Sequence, residues 1–284
     1  MEIKKVLVVG AGQMGGGIAQ VFAQSGLEVL LNDYKEENIK SRIEFIGGLL
    51  DKQIAKGKKT EEDKKLVLDN LKVCANVEDA KDVDLVVEAI VENVKVKGEL
   101  IEKLNNIVGE DTILATNTSS LPITELASFA KKPENFIGMH FFNPVPVMTL
   151  VEIIRGIATS DETYKAIEEL TEKIGKYPVE VNDVPGFVSN RVLQVMINEA
   201  VSCVDHGVAS IKGIDEVMKR GMNHPMGPLE LADFIGLDTI LSILEVMYDG
   251  YGDPKYAPSP LLRRYVKAGW LGRKTGKGFY DYSK

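Results

Sequence analysis

Along the first part of the chain, short apolar runs alternate with stretches whose apolar residues recur at helical spacing. The run Lys4–Val9 is followed by Met14, Ile18, Val21 and Phe22 at three- and four-residue intervals, and then by the run Glu28–Leu31. A buried strand, an amphipathic helix and a second strand in that order make a βαβ unit. Helical spacing continues from Glu36 to about Lys56 and again near Glu61–Leu71. Further strands are expected at Asp84–Val87, Thr112–Ala115, Phe136–Met139 and Thr149–Ile154, with helices around Lys95–Ile107 and Thr163–Ile174 between them. Strands that alternate with helices predict a mostly parallel sheet covered on both faces.

The pattern changes after Val179–Val181, where Asp183-Val184-Pro185-Gly186 punctuates the chain like a domain junction. Phe187–His206 reads as one long helix, with apolar Val188, Val192, Val195 and Met196 and a polar stripe of Asn190, Gln194 and Asn198. Helical pieces at Ile214–Arg220, Leu229–Tyr248 and Ser259–Ala268 follow, without a strand run. The expectation is an α/β domain over residues 1–185 and a smaller all-α domain over residues 186–284.

Composition narrows the partners. The chain has 284 residues, 44% hydrophobic and 27% charged, with a net charge of −8. A negative overall field repels polyphosphate, which argues against nucleic acid or an anionic membrane as a general partner. Runs such as Val6–Val9 fall far short of the roughly 18 apolar residues that span a bilayer. Strand-like sequence begins at Ile3, with no room before it for a secretory or transit segment, so the cytoplasm is the expected location. Cys74 and Cys203 lack metal-type spacing and read as packed thiols, so no metal is expected.

Gly10-Ala11-Gly12-Gln13-Met14-Gly15 directly follows the first strand and opens the first helix. The three glycines would serve a tight turn, the approach of backbone to a pyrophosphate, and close helix–strand packing. The helix N-terminus would present N–H groups to the diphosphate. Asp33 ends the second strand about 20 residues further on, where the fingerprint places the acid that meets the adenosine ribose. A carboxylate there repels a 2′-phosphate and favours NAD over NADP. The first domain is therefore expected to be of the Rossmann type.

His140 is one of only three histidines and begins His-Phe-Phe-Asn-Pro-Val-Pro, a loop leaving the carboxyl edge of the sheet. If the chain doubles back through Pro144 and Pro146, Glu152 on the next strand sits beside the imidazole as an acid/base partner. The alternative is a packed strand-end histidine and a surface carboxylate. Asn117-Thr118-Ser119-Ser120 leaves the same edge and offers hydroxyls to a substrate oxygen, or else caps the short helix Pro122–Ala127. Asn190 either reaches a cleft or belongs to a solvated stripe. His206 and His224 read as a helix end and a turn. No G-x-S-x-G or H-E-x-x-H motif is present.

These blocks together resemble the L-3-hydroxyacyl-CoA dehydrogenase family, and within it the short bacterial enzymes that act on 3-hydroxybutyryl-CoA. The resemblance rests on Gly10–Gly15, Val86-Val87-Glu88-Ala89 with Val91-Glu92, Asn117–Ser120, Gly138–Pro144, Pro185-Gly186-Phe187 with Asn190-Arg191, Asn223–Leu231, and Gly269–Tyr280. It implies an NAD-binding domain and a helical domain forming most of a homodimer interface. By the same likeness His140 is the acid/base group and Glu152 its partner, while Ser119 and Asn190 hold the substrate oxygen and the thioester carbonyl. Glu92, Lys97 and Asn143 match positions lining the cofactor, beside Gly10, Gly12, Gln13, Met14, Gly15 and Asp33. Lys52 and Lys56, four residues apart on one helix, are similar to lysines that meet the phosphates of the acyl-CoA substrate. The implied reaction interconverts (S)-3-hydroxybutyryl-CoA and acetoacetyl-CoA. Two other readings stand beside it: a relative acting on a sugar acid such as gulonate, and a non-catalytic dinucleotide-binding structural protein.

Overall fold

The structure, a computed structural model, describes residues 2–283. The chain divides into two compact units, one ending at Asp183 and the other beginning at Val184.

The first unit is built on a single eight-stranded sheet. Its strands are β1 (Lys5–Val9), β2 (Glu28–Asn32), β3 (Leu71–Val73), β4 (Leu85–Glu88), β5 (Ile113–Thr116), β6 (Phe136–Phe141), β7 (Leu150–Arg155) and β8 (Tyr177–Asn182). They lie in the order β3-β2-β1-β4-β5-β6-β7-β8. Every neighbouring pair is parallel except β6 with β7. Helices α1 (Gln13–Gln24), α2 (Glu36–Ile54), α3 (Glu61–Asn70), α4 (Val94–Leu104), α5 (Ile123–Ala127) and α6 (Asp161–Lys173) connect the strands. The continuous apolar character of β1 and β4 follows from burial on both faces, for Val6, Leu7, Val8, Leu85 and Val87 are all fully buried. Strand order reverses between β1 and β4, so their carboxyl ends open a crevice where such sheets take ligands.

The second unit contains α7 (Ser189–Asp205), α8 (Ile211–Gly221), α9 (Pro228–Ile235), α10 (Leu237–Tyr251) and α11 (Pro260–Lys267). Ile197, Val201, Leu229, Leu237, Leu244 and Met247 form the centre of its core. Among the described residues no helix is long and apolar enough to cross a membrane.

Four expectations need correction. Leu71 does not extend the preceding helix but opens β3, a strand of only three residues that is too short to show a period of its own. The helix expected over Leu229–Tyr248 is two, broken at Gly236, whose φ of 106° lies where helical residues do not go. The helix expected to start at Phe187 begins at Ser189, because Phe187 itself has φ 49°. The faces of that helix are also reversed: Asn190, Gln194 and Asn198 are buried, whereas Val188 and Val192 are 52% and 67% exposed. Asn198 explains part of this, since its amide donates to Ala257 O and its oxygen accepts from Ser259 N. An amide with partners some sixty residues away in the same unit is satisfied inside it.

Candidate active site

The glycine loop sits where β1 runs into α1. Gly10 has φ 107°, and a Cβ there would lie 2.6 Å from Ala89 O at the exit of β4. A Cβ on Gly15 would lie 1.8 Å from Gly10 O, so helix and turn approach as closely as glycine permits. Gly12 is different, because a Cβ there would meet nothing within 4 Å. The backbone at Gly12 is therefore open to the close approach of a ligand. Among the described residues no side chain caps α1, which leaves its first-turn N–H groups without a side-chain acceptor.

A cleft of about 850 Å³ continues from the loop, lined among others by Gln13, Asp33, Arg42, Phe45 and Asn143. Asp33 is held ready by short bonds from Ala11 N (2.7 Å) and the Asn38 amide (2.7 Å). The Gln13 amide donates to Asn143 Oδ1 at 2.9 Å, joining the first turn of α1 to the loop after β6. An open second glycine, an uncapped helix and a carboxylate at the end of β2 fit a dinucleotide.

On the antiparallel pair at the other side of the sheet, His140 stands directly opposite Glu152. Opposed residues project from the same face of a sheet, and here Nδ1 of the imidazole lies 2.7 Å from Glu152 Oε2. Both are buried, at 8% and 2% exposure. His140 does not begin the loop, as its place in the sequence suggested. It is the last but one residue of β6, because Phe141 still pairs with Val151 and donates its N–H to Asn117 Oδ1. That bond ties the segment after β5 to the strand carrying the histidine.

The hydroxyls of Asn117–Ser120 do not cap α5. They gather on one carboxylate oxygen: Glu92 Oε1 accepts from Thr118 Oγ1 (2.6 Å) and Ser119 N (2.9 Å), with Ser119 Oγ at 3.4 Å. Helix α5 is capped instead by Asp183, which accepts from Ile123 N and Thr124 N. Behind Glu92 lies Lys97, fully buried, its Nζ 2.6 Å from Glu88 Oε1 and 3.5 Å from Glu92 Oε2. Lys97 thus braces two carboxylates rather than presenting an open surface. Glu88 also accepts from Ile90 N and Thr116 Oγ1, at 2.7 Å each. Sequence reasoning gave Glu88 no role. The available signal was an acid closing the apolar run Leu85–Val87, since a carboxylate in a core strand requires a partner.

Three candidates remain, Lys52, Lys56 and Asn190. Lys52 is in the last turn of α2, but Lys56 lies beyond the helix end, so the expected helical face is not continuous. Both are exposed, and neither is among the residues lining the cleft. Asn190, second residue of α7 in the second unit, accepts from the Gln194 amide at 3.2 Å.

A Rossmann-type sheet with an open glycine loop and a buried histidine–carboxylate pair at its ligand edge defines a dinucleotide-dependent oxidoreductase. Residues 5–184 match the family described as 3-hydroxyacyl-CoA dehydrogenase, NAD binding domain, and residues 186–282 match its C-terminal domain. The chain belongs to the 3-hydroxyacyl-CoA dehydrogenase family, whose members use NAD. It is 57% identical over 284 residues to a probable 3-hydroxybutyryl-CoA dehydrogenase of Bacillus subtilis, covering 100% of this chain and 99% of that one. It is 51% identical to the 3-hydroxybutyryl-CoA dehydrogenase of Bradyrhizobium diazoefficiens, covering 99% and 96%. A solved (S)-3-hydroxybutyryl-CoA dehydrogenase from Ralstonia eutropha superimposes with a TM-score of 0.98 at 50% identity, covering 100% of both chains.

Proposed function

We propose that this chain interconverts (S)-3-hydroxybutyryl-CoA and acetoacetyl-CoA, with His140 as the proton-transfer group. The observation that carries the reading is the 2.7 Å contact between His140 Nδ1 and Glu152 Oε2 at the ligand edge of the sheet. With Nδ1 committed to the carboxylate, proton exchange with the 3-hydroxyl falls to Nε2. Glu152 stabilises the imidazolium while the ring holds the proton. NAD, when bound, supplies the acceptor for the hydride that leaves C3. Gly10–Gly15, Asp33 and Asn143 would hold it, with Glu92 and Lys97 bracing the wall beside Ser119.

In the same reading Ser119 and Asn190 fix the substrate oxygen and the thioester carbonyl, which matters because hydride moves only between centres held near contact. Lys52 and Lys56 meet the CoA phosphates. Residues 1–185 serve the cofactor, while residues 186–284 serve the substrate and a homodimer interface. Exposed Val188, Val192, Val208 and Val217 in the second unit support that last assignment. The cytoplasm is the proposed setting.

The test is a steady-state assay in both directions: NADH oxidation with acetoacetyl-CoA against free acetoacetate, and NAD reduction with (S)-3-hydroxybutyryl-CoA against gulonate. Turnover is expected with the thioesters alone. His140→Ala should lower kcat by about 10²- to 10⁴-fold while NADH binding persists. Undiminished turnover in that variant removes His140 from the mechanism, and preference for gulonate removes the acyl-CoA.

A further inference from the structure

Lys176 takes no part in the chemistry just described, yet it is partly buried and among the described residues has no carboxylate within ion-pair distance. Burial alone pushes its ammonium below the ordinary lysine range. A cation in that position needs acceptors, and it has two: Nζ donates to Val145 O at 2.7 Å and to Met148 O at 2.6 Å. Both belong to the loop between β6 and β7.

The anchor itself is firm. Lys176 N donates to Thr171 O at the end of α6, and the next residue, Tyr177, donates to Thr149 O at 2.7 Å as β8 begins to pair with β7. The far side of the same loop faces the nucleotide helix. Val145 is 2% exposed and fills the place where Gly17 of α1 has no side chain, so that a Cβ on Gly17 would lie 2.9 Å from Val145 Cβ. Asn143 takes the bond from Gln13, and the stretch from Asn143 to Pro146 forms one wall of the 850 Å³ cleft. The loop is thus held between the helix on one side and a single ammonium on the other. Charge-assisted bonds to carbonyls are directional and stronger than neutral ones, so removing them frees the loop on the side away from the cleft.

We infer that Lys176 is a positioning residue for cofactor binding: its ammonium sets the Asn143–Pro146 wall of the dinucleotide cleft without touching the dinucleotide. This rests on the assignment of that cleft to NAD, and it adds a residue outside the site.

The experiment compares wild type, Lys176→Met, Lys176→Arg and Lys176→Gln. It reads NADH affinity by titration without substrate, then KM for NADH, KM for acetoacetyl-CoA, and kcat at saturating NADH. Lys176→Met should weaken NADH binding about tenfold, in Kd and in KM alike, because it removes two hydrogen bonds from a charged donor. The KM for acetoacetyl-CoA should not move, and kcat at saturation should stay within about threefold. Lys176→Arg, which can donate to both carbonyls, should recover most of the affinity, and Lys176→Gln should lie between Arg and Met. If Lys176→Met does not fold, the Arg-to-Gln difference carries the test. Unchanged NADH affinity in Met and Gln, equal losses in Arg and Met, or a fall in kcat with affinity intact would each overturn the inference. Substrate identity does not enter the binding titration, so a wrong substrate leaves its outcome standing. Failure of the unaltered protein to bind NADH sinks the functional reading and this inference together.

Discussion

Glu88 in the first unit and Asp233 in the second are both buried carboxylates, at 2% and 0% exposure, but their surroundings differ in kind. Glu88 meets a cation, Lys97, and through it a second carboxylate, Glu92, which gathers the hydroxyl segment at the ligand edge. Asp233 meets neutral donors: Phe279 N at 2.9 Å, Tyr280 N at 2.8 Å and the Tyr282 hydroxyl at 3.2 Å. Asp215 follows the same rule, accepting from Leu229 N, Glu230 N and the Tyr280 hydroxyl. The closing segment is pressed against Asp233, since a Cβ on Gly278 would lie 1.9 Å from Asp233 Oδ1. Burying charge is costly in either surrounding. In the first unit the cost supports an ionic network that leads from the core to Ser119. In the second it fastens a stretch of chain that has little regular structure of its own.

The largest effect expected from this contrast is on Lys97. Lys97→Met strands Glu88 without its cation and should lower stability by about 3–5 kcal/mol in urea unfolding. Adding Glu88→Leu should return part of the loss, because an apolar pair replaces a broken ionic one. A cost below about 1 kcal/mol for the single change would mean that Thr116 and Ile90 suffice for Glu88, and the two units would then hold their carboxylates alike.

Asp233→Ala comes next, at about 3 kcal/mol, since one buried and one partly buried backbone N–H lose their acceptor. A dependence on pH should separate it from Lys97. Burial raises the Asp233 carboxyl above its ordinary value of 3.8, outweighing the bonds that lower it. The native state therefore binds this proton more tightly than the unfolded chain does. The stability it contributes is full below the unfolded value and is lost as pH rises through the folded value. Asp233→Asn should flatten the stability profile in the acid range just above 3.8. An unaltered profile would show that the carboxyl is ionised as readily inside as outside.

The same contrast explains what was legible in the amino-acid order. The βαβ opening follows from local pattern, whereas the two prolines after His140 make a return beside Glu152 only one of two readings, decided by the pairing of the two strands. The strand Leu71–Val73, the break at Gly236 and the buried face of α7 depend on neighbours distant in sequence. Periodicity cannot report that Asn198 will meet Ala257 and Ser259. Nor can it report that the hydroxyls of Thr118–Ser120 will turn to Glu92 rather than to the helix that follows them. Polar residues were the least legible because their burial is decided by a partner, whereas an apolar residue needs only company.

The smallest effect tests whether neutral donors hold the second unit one by one. Tyr280 contributes twice, its N–H to Asp233 and its hydroxyl to Asp215 Oδ2 at 2.7 Å. Burial, and after it the bond to Asp215, pushes the phenol above its ordinary value of 10.0, so the hydroxyl remains a donor well into the alkaline range. Tyr280→Phe deletes that one bond and leaves the backbone contact in place. Asp215 retains Leu229 N at 2.8 Å and Glu230 N at 3.0 Å, both at the start of α9. The expected loss is therefore one hydrogen bond to a charged acceptor, about 1.5 kcal/mol, read as a shift in the urea midpoint at constant slope. A loss as large as that of Asp233→Ala would show that the two carboxylates act as one fastening. A negligible loss would assign the hold of the closing segment to Asp233 alone.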